Sequence, residues 1–218
     1  MTRHGPKHLA EMKAEPVPEL ALSHGQTLWL TDQLGLRHDI SASTFNHYIK
    51  SLRKLGVPFD KGKGQSEGRR PVTYDFEDLM ELTIALLLRV YGTLPDTVVA
   101  GLRHFRPELR PMYRQGYLDS LKRLYPPARL SERGGASIKA SGLFLDLNIR
   151  YSVRQTIELG PPKLLSPFDA LKAYALSEGP ATSYLPLNIS AVARMIVAGT
   201  RTVPPVRRRG RRRGSATA

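Results

Sequence analysis

The side chains best equipped for chemistry in this sequence are cations, hydroxyls and one amide, and they cluster. Ser43, Thr44, Asn46, His47, Lys50, Arg53 and Lys54 lie in one short stretch, followed by Lys61, Lys63, Arg69, Arg70 and Tyr74. Between positions 43 and 74 only Asp60 and Glu67 oppose them. Ammonium and guanidinium groups neutralise phosphates, and hydroxyls hydrogen-bond to them, which fixes affinity and register. An amide can pair with the edge of adenine and a guanidinium with guanine, so Asn46 and Arg53 are the candidates for reading bases. A second basic run closes the chain: Arg201, Arg207, Arg208, Arg209, Arg211, Arg212 and Arg213, with no acid after Gly199. Such a run adds attraction that does not depend on sequence.

The formal charge is +14 at pH 7. That excess points to a polyanionic partner, of which nucleic acid is the commonest and an anionic membrane surface the rival. Catalytic signals are weak by comparison. The chain has no cysteine, which excludes disulfides and thiolate metal sites. His4 and His8 share one helical face in a Pro-rich arm and are not read as metal ligands. Gly62, Gly64 and Gly68 do not have the spacing of a dinucleotide-binding loop. Asp146 and Glu158 are expected across a hairpin from each other, close enough to approach, and read as surface carboxylates. The expectation is a protein that is not an enzyme and carries no cofactor or metal. The longest apolar run, Ile84–Leu88, is too short to span a bilayer. A soluble, cytoplasmic, nucleoid-associated protein is expected.

Elements must present the cluster. Residues 1–24 contain Pro6, Pro16 and Pro18 and read as a flexible arm. Leu28, Leu30 and Leu34 suggest a short helix ended by Gly35. Phe45, Ile49 and Leu52 recur at helical spacing, so residues 43–54 should form a helix capped by Ser41 or Ser43 and ended by Gly56 and Pro58. Residues 60–70, DKGKGQSEGRR, are too glycine-rich for a helix. Flanked by Val57–Phe59 and Pro71–Tyr74, they read as a hairpin with a basic tip. Asp75 opens a helix apolar on most of its circumference, which must be buried. Pro95 opens another, with Val98, Val99, Leu102 and Phe105 inward. Pro107 and Pro111 bound a short piece. Leu143, Leu145, Leu147 and Ile149 alternate as a strand, with 155–159 as its hairpin partner and Pro161–Pro162 as its stop. Helices are expected over 168–176 and 188–198.

The stretches Ser43-Thr-Phe-Asn-His-Tyr48, Leu55-Gly-Val-Pro58, Arg69-Arg-Pro-Val-Thr-Tyr74 and Phe76-Glu-Asp-Leu79 together resemble the N-terminal module of the MerR family of regulators. Gly92-Thr-Leu-Pro-Asp96 resembles that family's entry to its next helix. The resemblance covers residues 28–105. It implies a winged helix-turn-helix that places a recognition helix in the major groove of duplex DNA and a basic wing along the backbone. Two departures stand out. The connection from Gly35 to Ile40 is longer than the family's turn. The long heptad helix used for dimerisation is absent, because Pro107, Pro111, Pro126 and Pro127 interrupt it.

The sequence therefore predicts a mainly α fold with a small β component. Its parts are a flexible arm (1–24), a MerR-like winged helix-turn-helix domain (25–117), a small α+β region (118–178) and a tail (179–218) whose arginine-rich end is disordered. The predicted function is DNA binding by a transcriptional regulator. An architectural, chromosome- or plasmid-organising protein of low sequence specificity is the alternative. The expected partners are double-stranded DNA and a second copy in a homodimer or higher oligomer. Segment 142–159 and helix 168–176 are the candidate dimer surfaces.

Overall fold

The computed structural model describes residues 17–59, 72–91, 94–124, 142–147, 149–151, 157–176, 182–183 and 186–205. The basic segment 60–71, the expected wing tip, lies outside these residues, as do Arg207–Arg213. The described part is mainly helical with small antiparallel sheets.

Local signals set the helix ends. Ser23 Oγ accepts the Gln26 N–H at 3.4 Å, and Gln26 Oε1 accepts the Ser23 N–H at 3.0 Å. This reciprocal cap starts α1 (His24–Gln33) earlier than the expected Leu28. Gly35 follows its end with φ 72°, the left-handed conformation glycine adopts without cost. In α2 (Ala42–Lys54), Ser41 caps Thr44 N at 3.2 Å, and Phe45, Ile49 and Leu52 are buried as the spacing predicts. Gly56, at φ 91°, ends it. A second reciprocal cap, Asp75 with Asp78, opens α3 (Phe76–Val90). Every residue from Phe76 to Leu86 is buried, so α3 is the central post of the core. Each fully buried Leu or Ile on it contributes about 1.5–3 kcal/mol. Burial, with the Asp75 carboxylate alongside, pushes the Asp78 carboxyl up to about 7.

After Pro95 come α4 (Asp96–Val99) and a 3-10 segment (Ala100–Phe105) with Val99 and Leu102 inward. Then α5 (Arg106–Leu124) runs on continuously, where a short piece was expected. Pro107 occupies its first turn, where no N–H bond is needed. Pro111 forfeits one bond, to the carbonyl of Pro107 in that same turn, and its ring lies exposed. The boundary expected at 117/118 therefore falls inside a helix.

The strands are short. β1 (Leu22–Ser23) pairs antiparallel with β2 (Thr73–Tyr74). This corrects two expectations. Residues 17–23 belong to the fold rather than to a free arm, since Leu22 is buried and Val17 and Leu20 pack on the core. The Thr73–Tyr74 strand takes its partner from the front of the chain, while Val57–Phe59 forms bends rather than a strand. The alternating segment divides into β3 (Phe144–Asp146) and β4 (Ile149–Tyr151), which enter different sheets. β4 pairs with β5 (Ile157–Leu159), the expected hairpin, and with β7 (Thr182–Ser183). β3 lies between β6 (Lys163–Leu165), which begins directly after the two prolines, and β8 (Leu187–Asn188). Asp146 and Glu158 thus sit in separate sheets, and the approach expected across one hairpin does not arise.

α6 (Pro167–Leu176) packs on β3 and β6. α7 (Ile189–Thr200) is no tail element. Its Ile189, Ala193 and Ile196 are buried at helical spacing, and its main neighbour is α5. Ser190 Oγ donates to Asp119 Oδ2 at 2.7 Å and accepts Leu143 N–H at 3.0 Å, tying α7 to α5 and β3. At its far end Gly199 lets α7 approach α1, where a Cβ would stand 2.5 Å from Leu30 Cδ1. One core thus runs from Leu22 to Ile196, and the division expected at 178/179 does not separate packing units.

Candidate nucleic-acid interface

α2 has three distinct sides. Phe45, Ile49 and Leu52 enter the core. A second side faces the end of α3 and the start of α4: the Arg89 guanidinium lies 4.6 Å over the Tyr48 ring, and Ser51 Oγ donates to Asp96 Oδ2 at 2.6 Å. The C-terminal carbonyls are taken by cations. Arg103 Nη1 donates to Leu55 O at 2.8 Å, and Arg106 Nη2 to Gly56 O at 2.6 Å. Arg106 is itself buried and held by both Glu81 oxygens, at 2.8 and 2.7 Å. Positive charge here satisfies orphan carbonyls and opposes the negative end of the helix dipole. These contacts hold α2 rigidly on the α3–α5 frame.

The remaining side is free of the core. Ser43, His47, Lys50 and Lys54 are all exposed and follow one another at i, i+4, i+7 and i+11, so they form a single stripe opposite the apolar one. Thr44 is exposed beside it. At the N-terminus, Ser41 Oγ lies 3.0 Å from Ser43 Oγ and 2.9 Å from Thr44 Oγ1, which gathers three hydroxyls at the positive end of the dipole.

The two side chains expected to read bases are placed differently. Asn46 is half-buried, with its Oδ1 out of solvent on the side of His24. Arg53 is half-buried, its guanidinium 5.9 Å over the Phe59 ring and interacting with the Tyr74 hydroxyl. Tyr74, a candidate DNA contact in the sequence, is fully buried. Its ring packs on Phe59 with centroids 4.8 Å apart, and its hydroxyl lies 3.3 Å from His24 Nδ1. Burial raises the Tyr74 pKa, so the phenol stays protonated.

His24 is a participant the sequence reading assigned to the flexible arm. Its pKa is lowered by burial first and then by Arg53, against an opposing interaction with Asn46 and with a smaller contribution from Lys50. The Ser23-x-x-Gln26 spacing was the signal that could have placed His24 on a helix.

Phe59 and Tyr74 bring together the two ends of segment 60–71, beside Arg53. The segment carrying Lys61, Lys63, Arg69 and Arg70 therefore leaves and re-enters the fold at the lower end of the α2 stripe. The C-terminal approach lies on α1. Val203 packs on the core, and Pro204 O accepts a hydrogen bond from Gln26 Nε2 at 3.1 Å. Gln26 and His24 share the first turn of α1 but, two residues apart, point to different sides of it, so the described chain ends against α1 on a side other than that of His24.

Elsewhere, a cavity of about 300 Å³ is lined by Leu34, Leu36, Thr83, Leu87, Tyr91, Val192 and Met195. No charged side chain lines it. Among the described residues no group of three or more His, Asp or Glu is arranged to hold a metal, and no helix is long and apolar enough to cross a membrane. In comparison with known proteins, no family model matches the sequence and no curated protein resembles it at a significant level.

Proposed function

We propose that the protein binds duplex DNA, with α1, the turn 34–41, α2 and segment 57–74 acting as a MerR-like winged helix-turn-helix and α2 as the helix that enters the major groove. The observation that carries the reading is the exposed stripe Ser43, His47, Lys50 and Lys54. It sits on a helix whose opposite face is locked in the core and whose C-terminus is held by Arg103 and Arg106. A rigid helix presenting hydroxyls at its start and cations along its length suits phosphate contact at both groove walls. The convergence of the ends of 60–71 beside Arg53 supports a basic wing on the same side. Asn46 and Arg53 are turned toward His24 and toward Phe59 and Tyr74, and Ser43, Thr44 and His47 are the side chains left to meet base edges.

The role proposed is transcriptional regulation. The architectural reading rests on a separate observation: Pro204, just before the arginine run, is fixed against α1, an element of the same proposed module. A salt series on a duplex selected from a random pool, set against unselected duplex, separates the two. A ratio of about 10³ or more marks a regulator, and near-equal affinities mark an architectural protein. Replacing Lys50 and Lys54 together with Ala should weaken both affinities and lower the salt slope by about 2, one per lost phosphate contact. Unchanged affinity and slope would remove α2 from the interface and refute the proposal.

A further inference from the structure

α6 is built inside out. Two of its small residues face inward, Ala170 buried and Ala173 half-buried, on the side that packs on β3 and β6. Three of its large apolar side chains face solvent: Phe168 is 73% exposed, Leu171 65% and Tyr174 62%. A helix at the surface of a monomer is ordinarily patterned the other way, because each large side chain left in water forgoes about 1.5–3 kcal/mol. We propose that this face is the contact by which two copies of the chain associate, α6 against α6 across a two-fold axis.

Three observations select a second copy as the occupant. First, charge: most of the +14 lies in residues 43–74 and in the arginine run, so copies repel one another where those segments would meet. α6 holds a single acid, Asp169, and a single base, Lys172, and so presents a face of no net charge. Second, the face is self-complementary. In an antiparallel pair centred near Leu171, the two Leu171 side chains meet at the axis. Phe168 of each copy then lies over Ala175 and Tyr174 of the other, large against small and aromatic beside aromatic. A two-fold contact demands such a match, since one patch must fit itself. Third, area: the three side chains expose on the order of 400 Å², a patch size that marks interaction sites on monomers. Two such faces give roughly 800 Å², and a modest polar rim brings the contact to the ~1,200 Å² of a stable pair. The residues directly after α6, Ser177-Glu-Gly-Pro-Ala181, supply no large apolar side chain to cover it. The inference stands apart from the DNA reading and is tested without DNA.

Sedimentation equilibrium of the full chain at micromolar concentrations should give a dimer, and Leu171→Asp should give a monomer with an unchanged circular dichroism spectrum. The chain has no cysteine, so a single Leu171→Cys variant can be treated with a short bis-maleimide. It should cross-link to a covalent dimer, whereas Ala198→Cys, exposed on α7, should not. A monomeric wild-type chain overturns the proposal. So does a Leu171→Asp protein that remains dimeric, or cross-linking that is equal at positions 171 and 198. Should Leu171→Asp fail to fold, the cross-linking comparison decides alone.

Discussion

His24 shows how a single residue couples the proposed interface to pH. Burial, then Arg53 and to a lesser degree Lys50, hold its pKa below 6.5, while Asn46 works in the opposite direction. Tyr74 and its hydroxyl form the other wall. With the folded pKa below the unfolded one, the unfolded chain binds more protons as pH falls through 6.5, so stability declines there and is fully present above it. His24→Gln keeps a polar side chain and removes the titration. Wild type should therefore lose stability to the variant in urea unfolding as pH is lowered from 7 to 5. A wild-type-minus-variant difference that does not change with pH would mean that His24 does not titrate in this range. Phosphates placed on Lys50 and Arg53 would cancel the repulsion that lowers the His24 pKa. An NMR titration of the His24 ring should thus show the pKa rising when duplex is added, and no change would place the phosphates elsewhere. None of this was legible in the sequence. The Gly35 and Gly56 stops and the Phe45, Ile49 and Leu52 stripe are local patterns and were read correctly. The environment of His24 is made by residues 46, 53 and 74, far from it in the chain.

Among the elements, α2 is only as useful as its mount. Arg106 lies at the start of α5, is paired with both oxygens of Glu81 in α3, and donates to Gly56 O at the end of α2. Removing one partner of such a buried pair strands the other charge, which costs about 3–5 kcal/mol. Arg106→Ala should lower stability by that amount and Glu81→Ala by a similar one. Replacing both with Leu should cost much less than the sum, because no charge is left uncompensated. Additive losses in guanidinium unfolding would show that the two side chains do not act as a unit. The sequence announced α3 through its continuous apolar circumference and the Asp75 cap, and it announced α6 through Pro167 and Asp169 at its start. It could not announce the partners. No local pattern marks Arg106 as a buried cation, and Pro107 and Pro111 looked like breaks, because the tolerance of α5 for them depends on their falling in its first turns. The pairing of Thr73–Tyr74 with Leu22–Ser23 and the parting of β3 from β4 are likewise contacts between distant segments, which no local period encodes.

At the scale of the molecule, the arginine run is joined to the fold at a defined place. Val203 is packed on the core and Pro204 is fixed to Gln26, one turn of α1 that also carries His24. Arg207, Arg208, Arg209, Arg211, Arg212 and Arg213 therefore follow within a few residues of an anchor on α1, an element of the proposed module, which raises their local concentration around any duplex that module binds. Their contribution should be electrostatic and indifferent to sequence. Ending the chain at Val206 leaves the packed residues in place, so thermal stability should be unchanged. Affinity for unselected duplex should fall, and the slope of log K against log salt should become shallower by about 3–5, close to one unit for each arginine that met a phosphate. The ratio of selected to unselected affinity should be preserved, because the side chains proposed to meet base edges remain on α2. If truncation erased that ratio while the salt slope stayed the same, recognition would reside in the arginine run and α2 would serve only to carry it.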